Sequence, residues 1–264
     1  MAVLETTDEP SRLDPPVDDV KPINTRVVRL MAWSGVALVI SLVVAQGLLM
    51  RFVPPPSPAM SAQEIADLYI DRKLAIRVGT LIECIGFTFY LTFSMSIVVF
   101  MRRMERGMPV LTYTSMANNG GGYVFFLLMP ITWAALAFRP ETLDPALMQI
   151  ANDYVWFVFI LSWPPFALFM VYVALAVLGD RNPTPVFPRW VGFFNLWTAV
   201  LIIPAGLVEF YTAGPFAYDG ELSFWFVWFV FFGWIMVMSG VTLRACKAEE
   251  ERQAAVAGRD GAAA

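Results

Sequence analysis

The sequence predicts an all-α integral membrane protein, a bundle of six transmembrane helices with both termini in the cytoplasm. The composition is the first sign, because 58% of the 264 residues are hydrophobic and 15% are charged, against about 45–50% and about 25% in soluble domains. The second sign is that the apolar residues are gathered in six blocks, each long enough to cross a bilayer as a helix. The third sign is an uneven distribution of lysine and arginine, which sets the orientation.

The six blocks follow one another with short polar loops between them, and each is bounded by charged residues or by proline and glycine. In chain order they are Val28–Phe52, Ile76–Phe100, Tyr113–Phe138, Tyr154–Leu178, Trp190–Tyr211 and Leu222–Leu243. The loops are too short to form domains of their own. We therefore predict one transmembrane domain over residues 28–246.

The orientation follows from the basic residues of the loops. Thirteen of the 18 lysine and arginine residues lie on the side of the two termini, and five lie on the other side. Because cytoplasmic loops carry the excess of positive charge, both termini are predicted inside. Only an even number of spans gives this result.

Two tails flank the predicted domain. Residues 1–20 contain six acidic residues, three prolines and one arginine, a composition that cannot bury enough apolar surface to fold. We predict that residues 1–27 form a disordered acidic cytoplasmic tail. The polar residues 247–264 are predicted to form a second disordered cytoplasmic tail.

The loop between the first two blocks is the longest and contains a helix signal. Ser61 and Glu64 have the spacing of a capping box, and Ile65, Leu68 and Tyr69 follow at helical spacing. This pattern predicts an amphipathic helix on the outer surface. Such a helix could rest at the lipid interface or form a lid over a binding site.

The absence of histidine excludes several classes of function. Histidine-ligated haem, zincins and Ser-His-Asp hydrolases all need an imidazole. No C-x-x-C pair and no Walker-type phosphate loop is present either, and no basic stripe suggests a nucleic-acid partner. We predict no metal site, no cofactor and no set of catalytic residues, so an enzyme is the least favoured class.

Glu83 is the leading candidate for a functional residue. It lies about 10 Å inside the second block at 1.5 Å per residue, where a carboxylate is costly and usually faces the bundle interior. Small and polar residues share its helical face: Gly79, Thr80, Gly86, Phe87, Tyr90 and Ser94. The face predicts either a ligand contact at Glu83 and Tyr90 or a polar lock between two helices.

Further polar residues fall at a similar depth in other blocks. In the fifth block Asn195, Thr198, Ile202, Ala205 and Glu209 lie on one predicted stripe, and Asp153 begins the fourth block. Arg77 and Arg139 are the nearest possible counter-ions. We expect a polar cluster in the outer half of the bundle that includes Glu83, Asp153, Asn195 and Glu209.

Two further features suggest a pocket for an apolar molecule. Trp163 precedes the pair Pro164-Pro165, which removes two amide donors from the fourth block, and broken helices of this kind mark binding sites in transporters. The sixth block is rich in aromatic residues from Phe224 to Trp234. Its rings could face lipid or line a pocket.

Three loop motifs carry a resemblance to a known group of proteins. They are Pro54–Pro58, the run Pro185-Val186-Phe187-Pro188-Arg189-Trp190-Val191-Gly192, and Gly214-Pro215-Phe216-Ala217. With these motifs the chain resembles uncharacterised multi-pass membrane proteins of actinobacteria and related bacteria. The resemblance implies a bacterial inner membrane and carries over no binding or catalytic residue.

Two functional hypotheses follow. The first is a small carrier or binding protein that holds a mainly apolar molecule in the bundle, with a polar end near Glu83. The second is a non-catalytic accessory subunit of a larger membrane complex, in which the same residues are structural and the sixth block is a docking face. The expected partners are the lipid bilayer with a small molecule or with another membrane protein.

Overall fold

The computed structural model describes residues 22–263, with side chains as far as residue 258, and this part of the chain contains no strand. Eight α-helices follow one another: α1 (Thr25–Leu42), α2 (Ala62–Asp71), α3 (Lys73–Met104), α4 (Val110–Leu136), α5 (Pro145–Leu161), α6 (Trp163–Gly179), α7 (Arg189–Leu201) and α8 (Val227–Ala263). Short π-helical and 3₁₀ stretches extend three of these helices.

Where one helical element follows another without a loop, we count the two as one stretch. This gives six helical stretches in the described residues that are long and apolar enough to cross a membrane. They are spans one to six: Thr25–Leu49, Lys73–Met104, Val110–Leu136, Pro145–Gly179, Arg189–Phe210 and Glu221–Gly258. Each overlaps one predicted block. The all-α fold and the number of long apolar helices are therefore confirmed.

The bundle has two ends, which we name by what they carry. The terminal face holds the start of α1 and the C-terminal part of α8, joined there by an ion pair of 2.8 Å between Arg29 and Glu250. The distal face holds the loops of residues 50–72, 137–144 and 211–220. There Lys73 pairs with Glu141 at 2.9 Å.

Close packing of α1 against α3 forms the centre of the bundle. A methyl group added at Gly86 would collide with the side chain of Ser41, and one added at Gly79 would collide with Met50. Glycine at these two positions thus lets the first span approach the second. α3 also packs against α4, α6 and α8.

α2 packs on the distal face of the bundle. The predicted capping box is present: the Glu64 amide donates to the Ser61 hydroxyl at 3.3 Å, and the Ser61 amide donates to the Glu64 carboxylate at 2.7 Å. Ile65, Ala66 and Tyr69 are buried, and α2 lies against α5. This contact with α5 favours a cover over the bundle rather than a helix that rests on lipid.

Spans four and five differ from the predicted blocks. Span four begins at Pro145, where the Asp144 carboxylate accepts from the amides of Ala146 and Leu147, so Asp153 lies two turns inside rather than at the start. Span five leaves the α-helix after Leu201 and continues as a 3₁₀ helix over Ile203–Phe210. Proline at position 204 lacks the amide that would continue the α-helical hydrogen bonds.

The C-terminal segment also differs from its prediction. α8 continues to Ala263, whereas a disordered tail was predicted from residue 247. Residues 247–258 are mostly alanine, glutamate, lysine, arginine and glutamine, which favour helix. The Gln253 side chain donates to the Ile23 carbonyl at 3.0 Å. The predicted disorder of residues 1–21 falls outside the described residues.

Candidate functional site

Glu83 lies in the interior of the bundle with a side chain that is fully buried. The face predicted from helical spacing is buried with it: Gly79, Thr80, Gly86, Phe87, Tyr90 and Ser94. Oε1 of Glu83 accepts a hydrogen bond of 2.6 Å from Nε2 of Gln46. Oε2 is buried and has no hydrogen-bond partner among the residues that the structure describes. The carboxyl group therefore has one occupied and one open hydrogen-bonding position.

Gln46 supplies the partner that the sequence analysis did not identify. It lies in the π-helical stretch Val43–Leu49 at the end of span one. The amides of Met50 and Phe52 donate to the carbonyls of Ala45 and Gln46, each at 2.8 Å. Such widened turns are frequent at functional sites. The sequence did offer one sign of this role, because Gln46 is a lone amide side chain within an apolar block.

The two arginines proposed as counter-ions lie elsewhere. The guanidinium carbons of Arg77 and Arg139 are 5.8 Å and 5.1 Å from the centre of the Phe138 ring. All three residues lie in the part of the chain that the structure describes, and neither arginine forms an ion pair with Glu83. The carboxyl group of Glu83 is thus held by an amide and by no cation.

Tyr90 lies two turns along α3 from Glu83, in an aromatic setting. Its hydroxyl donates to Oδ1 of Asn119 at 3.0 Å. Its ring contacts Phe126 and Phe166, with ring centroids 4.9 Å and 5.3 Å away. Nδ2 of Asn119 is buried without a protein partner. Tyr90 therefore links α3 to α4 and borders an aromatic interior.

Asn195 is buried but does not join Glu83. Its Oδ1 accepts from the indole of Trp234 at 2.8 Å, and its Nδ2 donates to the Val191 carbonyl at 2.8 Å. The bond from Trp234 joins α8 to α7, and the bond to Val191 lies within α7, so both ends of the amide are satisfied. The structure thus gives Asn195 a helix-locking position.

Glu209 is exposed, as its position near the outer end of the fifth block allows, and it does not share the buried surroundings of Asn195. Asn195, Thr198 and Ala205 are buried as the 3.6-residue spacing requires. Beyond Leu201 the 3₁₀ geometry has three residues per turn, which rotates later residues away from the stripe.

Asp153 is half-buried near the distal face. The hydroxyl of Tyr218 donates to its Oδ1 at 3.1 Å. Burial raises the pKa of Tyr218 above its ordinary range, so this hydroxyl stays protonated and remains a donor. Asp153 thus belongs to a group of residues beneath α2, and no hydrogen bond joins it to Glu83.

An apolar cavity of about 80 Å³ lies inside the bundle. Nine of its lining side chains are aromatic: Phe87, Phe126, Phe159, Trp163, Phe166, Phe224, Trp228, Phe231 and Phe232. The hydroxyls of Ser162 and Ser223 also line it, but both donate to backbone carbonyls. Trp163, predicted from the broken helix, is therefore at the cavity wall.

The break in span four shapes this wall. α5 ends at Leu161 and α6 begins at Trp163, and Pro164 and Pro165 supply no amide donors. Nδ2 of Asn118 donates to the Pro165 carbonyl at 2.7 Å. The break turns Trp163 toward the cavity and ties the start of α6 to α4.

The aromatic residues of span six divide between two surroundings. Phe224, Trp228, Phe231 and Phe232 line the cavity. Phe229, by contrast, is 61% exposed on the outer surface. Both interpretations of the aromatic block thus hold, each for different residues.

The cavity and the Glu83–Gln46 pair occupy adjacent layers. Phe87 and Leu42 line the cavity, and each lies one helical turn, about 5.4 Å, from Glu83 or Gln46 on the same helix. The polar pair is on the side of the cavity that faces the distal end. This order places an open carboxyl position next to an apolar chamber.

No family model matches the chain, and no curated protein or solved structure matches it either.

Proposed function

We propose that the chain is an integral membrane protein with six transmembrane helices that binds a small, mainly apolar molecule in the aromatic cavity. The outer surface supports the membrane setting, since Leu30, Leu81 and Trp197 are 73%, 63% and 66% exposed. The interior instead holds the polar side chains of Glu83 and Gln46. Apolar residues outside and polar residues inside suit a lipid environment.

The proposed location is a bacterial inner membrane with both termini in the cytoplasm. The basic residues support the orientation, because most of them lie on the terminal face. Arg102, Arg106 and Arg181 are among those exposed there. The resemblance of the loop motifs supports the bacterial membrane.

The cavity is the observation that carries the binding role. Its lining is aromatic, and a dry apolar cavity of this kind accepts apolar molecules. At about 80 Å³ it suits a short alkyl or isoprenoid segment better than a large ring system. We propose a small carrier or binding protein on this basis.

A cavity-filling substitution tests the proposal. Leu42→Phe places a ring in the cavity, whereas Val43→Phe is a matched control because Val43 is 39% exposed on the outer surface. Each protein is purified in mild detergent and its lipid extract is analysed by mass spectrometry. One apolar compound should be enriched about one to one with the wild type and the control, and lost from Leu42→Phe. If the wild type carries only bulk membrane lipid, the proposal fails.

The alternative is a non-catalytic accessory subunit of a membrane complex. The exposed rings of Phe226 and Phe229 on span six favour it as a docking face. A protein that co-purifies reproducibly with the wild type, and is lost on Phe229→Ala, would support this alternative.

A further inference from the structure

Five aromatic side chains pack together beneath α2 at the distal face. This distal cluster consists of Phe52, Tyr69, Trp133, Trp156 and Tyr218. The ring centroids of Trp133 and Trp156 are 5.2 Å apart, and Phe52 lies 5.4 Å from the former and 6.0 Å from the latter. Tyr218 stacks on Trp156 at 5.9 Å. The elements brought together are the loop after span one, α2, α4, α5 and the loop before span six.

Buried donors in this cluster have no acceptor. Nε1 of Trp133 and Nε1 of Trp156 are both buried, and neither has a hydrogen-bond partner in the described residues. Asn152 lies one turn before Trp156 on α5, and its side chain interacts with Asp153 and Tyr218. Because buried N–H groups are almost always paired in folded proteins, two unpaired indoles in one cluster indicate a missing acceptor.

The acceptors near these indoles bind other donors. Oδ1 of Asn152 accepts from the Tyr69 hydroxyl at 3.1 Å, and Oδ1 of Asp153 accepts from Tyr218. Burial raises the pKa of Tyr69 well above its ordinary value, so its hydroxyl remains a donor. None of these groups forms a hydrogen bond with either indole.

The distal cluster adjoins the aromatic cavity. The Trp156 ring lies 5.8 Å from Phe159 and 6.1 Å from Phe224, and both of these residues line the cavity. The indoles of the distal cluster therefore lie just beyond the cavity wall, behind the rings of Phe159 and Phe224.

We propose that the bound molecule ends in an uncharged hydrogen-bond acceptor, a carbonyl oxygen, to which the indole N–H groups of Trp133 and Trp156 donate. The inference rests on the proposed function and adds the chemistry of the ligand's polar end. An uncharged carbonyl fits better than a carboxylate because Asp153 is the neighbouring charged group. α2 closes over this end through Tyr69 and through a bond of 2.8 Å from Gln149 to the Met60 carbonyl.

A pair of probes that differ only in the carbonyl tests this inference. 2-Nonanone and n-nonane are titrated into the delipidated protein in nanodiscs, and thermal stabilisation gives the two affinities. The wild type should bind the ketone about tenfold tighter, the value of one or two good hydrogen bonds. The double variant Trp133→Phe, Trp156→Phe should lose most of this preference, because it keeps the rings and removes these two donors. Trp228→Phe, which removes the unpaired indole N–H of the cavity wall itself, should keep the preference.

Trp234→Phe is the matched control, since the indole of Trp234 already donates to Asn195. It should keep the ketone preference. Equal binding of both probes by the wild type, or a ketone preference that survives in the double variant, overturns the inference and leaves the cavity proposal standing. Binding of neither probe would defeat the proposed function itself.

The ligand-free proteins provide a second measurement. If the two indoles lack partners, their replacement should lower the melting temperature less than Trp234→Phe does. If buried water already satisfies them, the losses should be alike, and the proposal of a ligand acceptor is then overturned.

Discussion

At Glu83 the two oxygens of one carboxyl group have different surroundings. Oε1 is held by Gln46, and Oε2 is buried without a partner. An ionised group leaves Oε2 without a donor, and a neutral group leaves its proton without an acceptor. In either state a further group, such as a ligand or a water molecule, can complete the site.

Substitutions at Glu83 distinguish a binding residue from a helix lock. Glu83→Gln should keep the fold, because the amide preserves size and hydrogen bonding. Glu83→Ala should lower the free energy of unfolding by about 1–3 kcal/mol, because it leaves the Gln46 amide unpaired in the interior. Thermal unfolding with and without the co-purified molecule measures both effects. Glu209→Ala, at an exposed position, is the control and should melt like the wild type.

If Glu83→Gln also weakens binding of the molecule, Glu83 is a binding residue. If it leaves binding unchanged while Glu83→Ala destabilises the protein, Glu83 is a lock. Identical behaviour of all three proteins would show that Glu83 is neither.

Two glycines on neighbouring helices give opposite expectations. Gly86→Ala should destabilise the bundle by about 1–3 kcal/mol, because its new methyl group would overlap Ser41. Gly121→Ala should be neutral or stabilise by up to about 1 kcal/mol, because no atom lies within 4 Å of its added carbon. Denaturation in the same detergent compares the two, and equal losses would contradict the packing of α1 on α3.

Helical spacing was sufficient to predict the buried face of α3 around Glu83. It could not identify Gln46 as the partner, because the pairing of two spans depends on their relative rotation and height. The π-helical turn that aims Gln46 at Glu83 has no clear sequence signal. The stripe through Asn195 stays buried as far as Ala205, and Glu209 beyond it is exposed because proline at position 204 changes the helical period.

At the scale of elements, α2 depends on its N-terminal cap. The backbone amide and the hydroxyl of Ser61 donate to Glu64, which lowers the pKa of that carboxyl below its ordinary value of 4.5. Because the pKa of Glu64 is lower in the folded than in the unfolded state, the cap stabilises α2 fully when the pH is above the unfolded-state pKa. This stabilisation is lost as the pH falls through the folded-state pKa.

We therefore expect the first turn of α2 to open more readily at pH 4 than at pH 7. Hydrogen exchange of residues 62–66, corrected for the intrinsic rate at each pH, measures the opening. Ser61→Ala should open more at pH 7 and lose most of the pH dependence. Equal protection of the wild type at both pH values would show that the cap does not hold α2.

The C-terminal extension of α8 rests on a nearly buried ion pair. Glu249 is 8% exposed and lies 2.8 Å from Arg103 of span two. Glu249→Ala should destabilise the protein by roughly 3 kcal/mol, since it leaves Arg103 without this carboxylate. Glu251→Ala is the matched control, because Glu251 is 69% exposed and its contact with Lys247 is 4.0 Å long; it should cost less than about 1 kcal/mol. If chemical denaturation gave similar losses of unfolding free energy for Glu249→Ala and Glu251→Ala, the extension of α8 would not be packed against span two.

The composition of residues 247–258 favoured a helix, but polar composition alone was interpreted as disorder. The contact that orders this segment joins residues 146 positions apart. Such a pairing is visible only in three dimensions.

At the scale of the whole molecule, the proposed orientation can be tested with cysteine labelling. The background protein carries Cys84→Ala and Cys246→Ala, and single cysteines replace Gln63, Arg106 or Thr184, all at exposed positions. An impermeant thiol reagent added to intact cells should label position 63 and neither of the others. The reverse pattern would invert the topology.

Apolar block lengths were enough to predict six long helices, and their even number predicts that the start of α1 and the C-terminal part of α8 share a face. The cavity could not be predicted in the same way, because its wall combines residues from spans one to six. Trp163 was predicted from the proline pair that follows it. Its neighbours across the cavity depend on how the six helices pack.

The Glu83–Gln46 pair also bears on how the protein is made. Gln46 precedes Glu83 in the chain. If the spans enter the proposed bilayer in chain order during synthesis, the amide of Gln46 is therefore in place before the carboxyl group of Glu83 arrives. In the proposed membrane setting, a lone acidic residue such as Glu83 costs up to roughly 3 kcal/mol on insertion scales. The hairpin of spans one and two contains its own partner for that residue, together with the glycine contacts that bring the helices close. Biogenesis of this hairpin therefore does not need to wait for the remaining four spans.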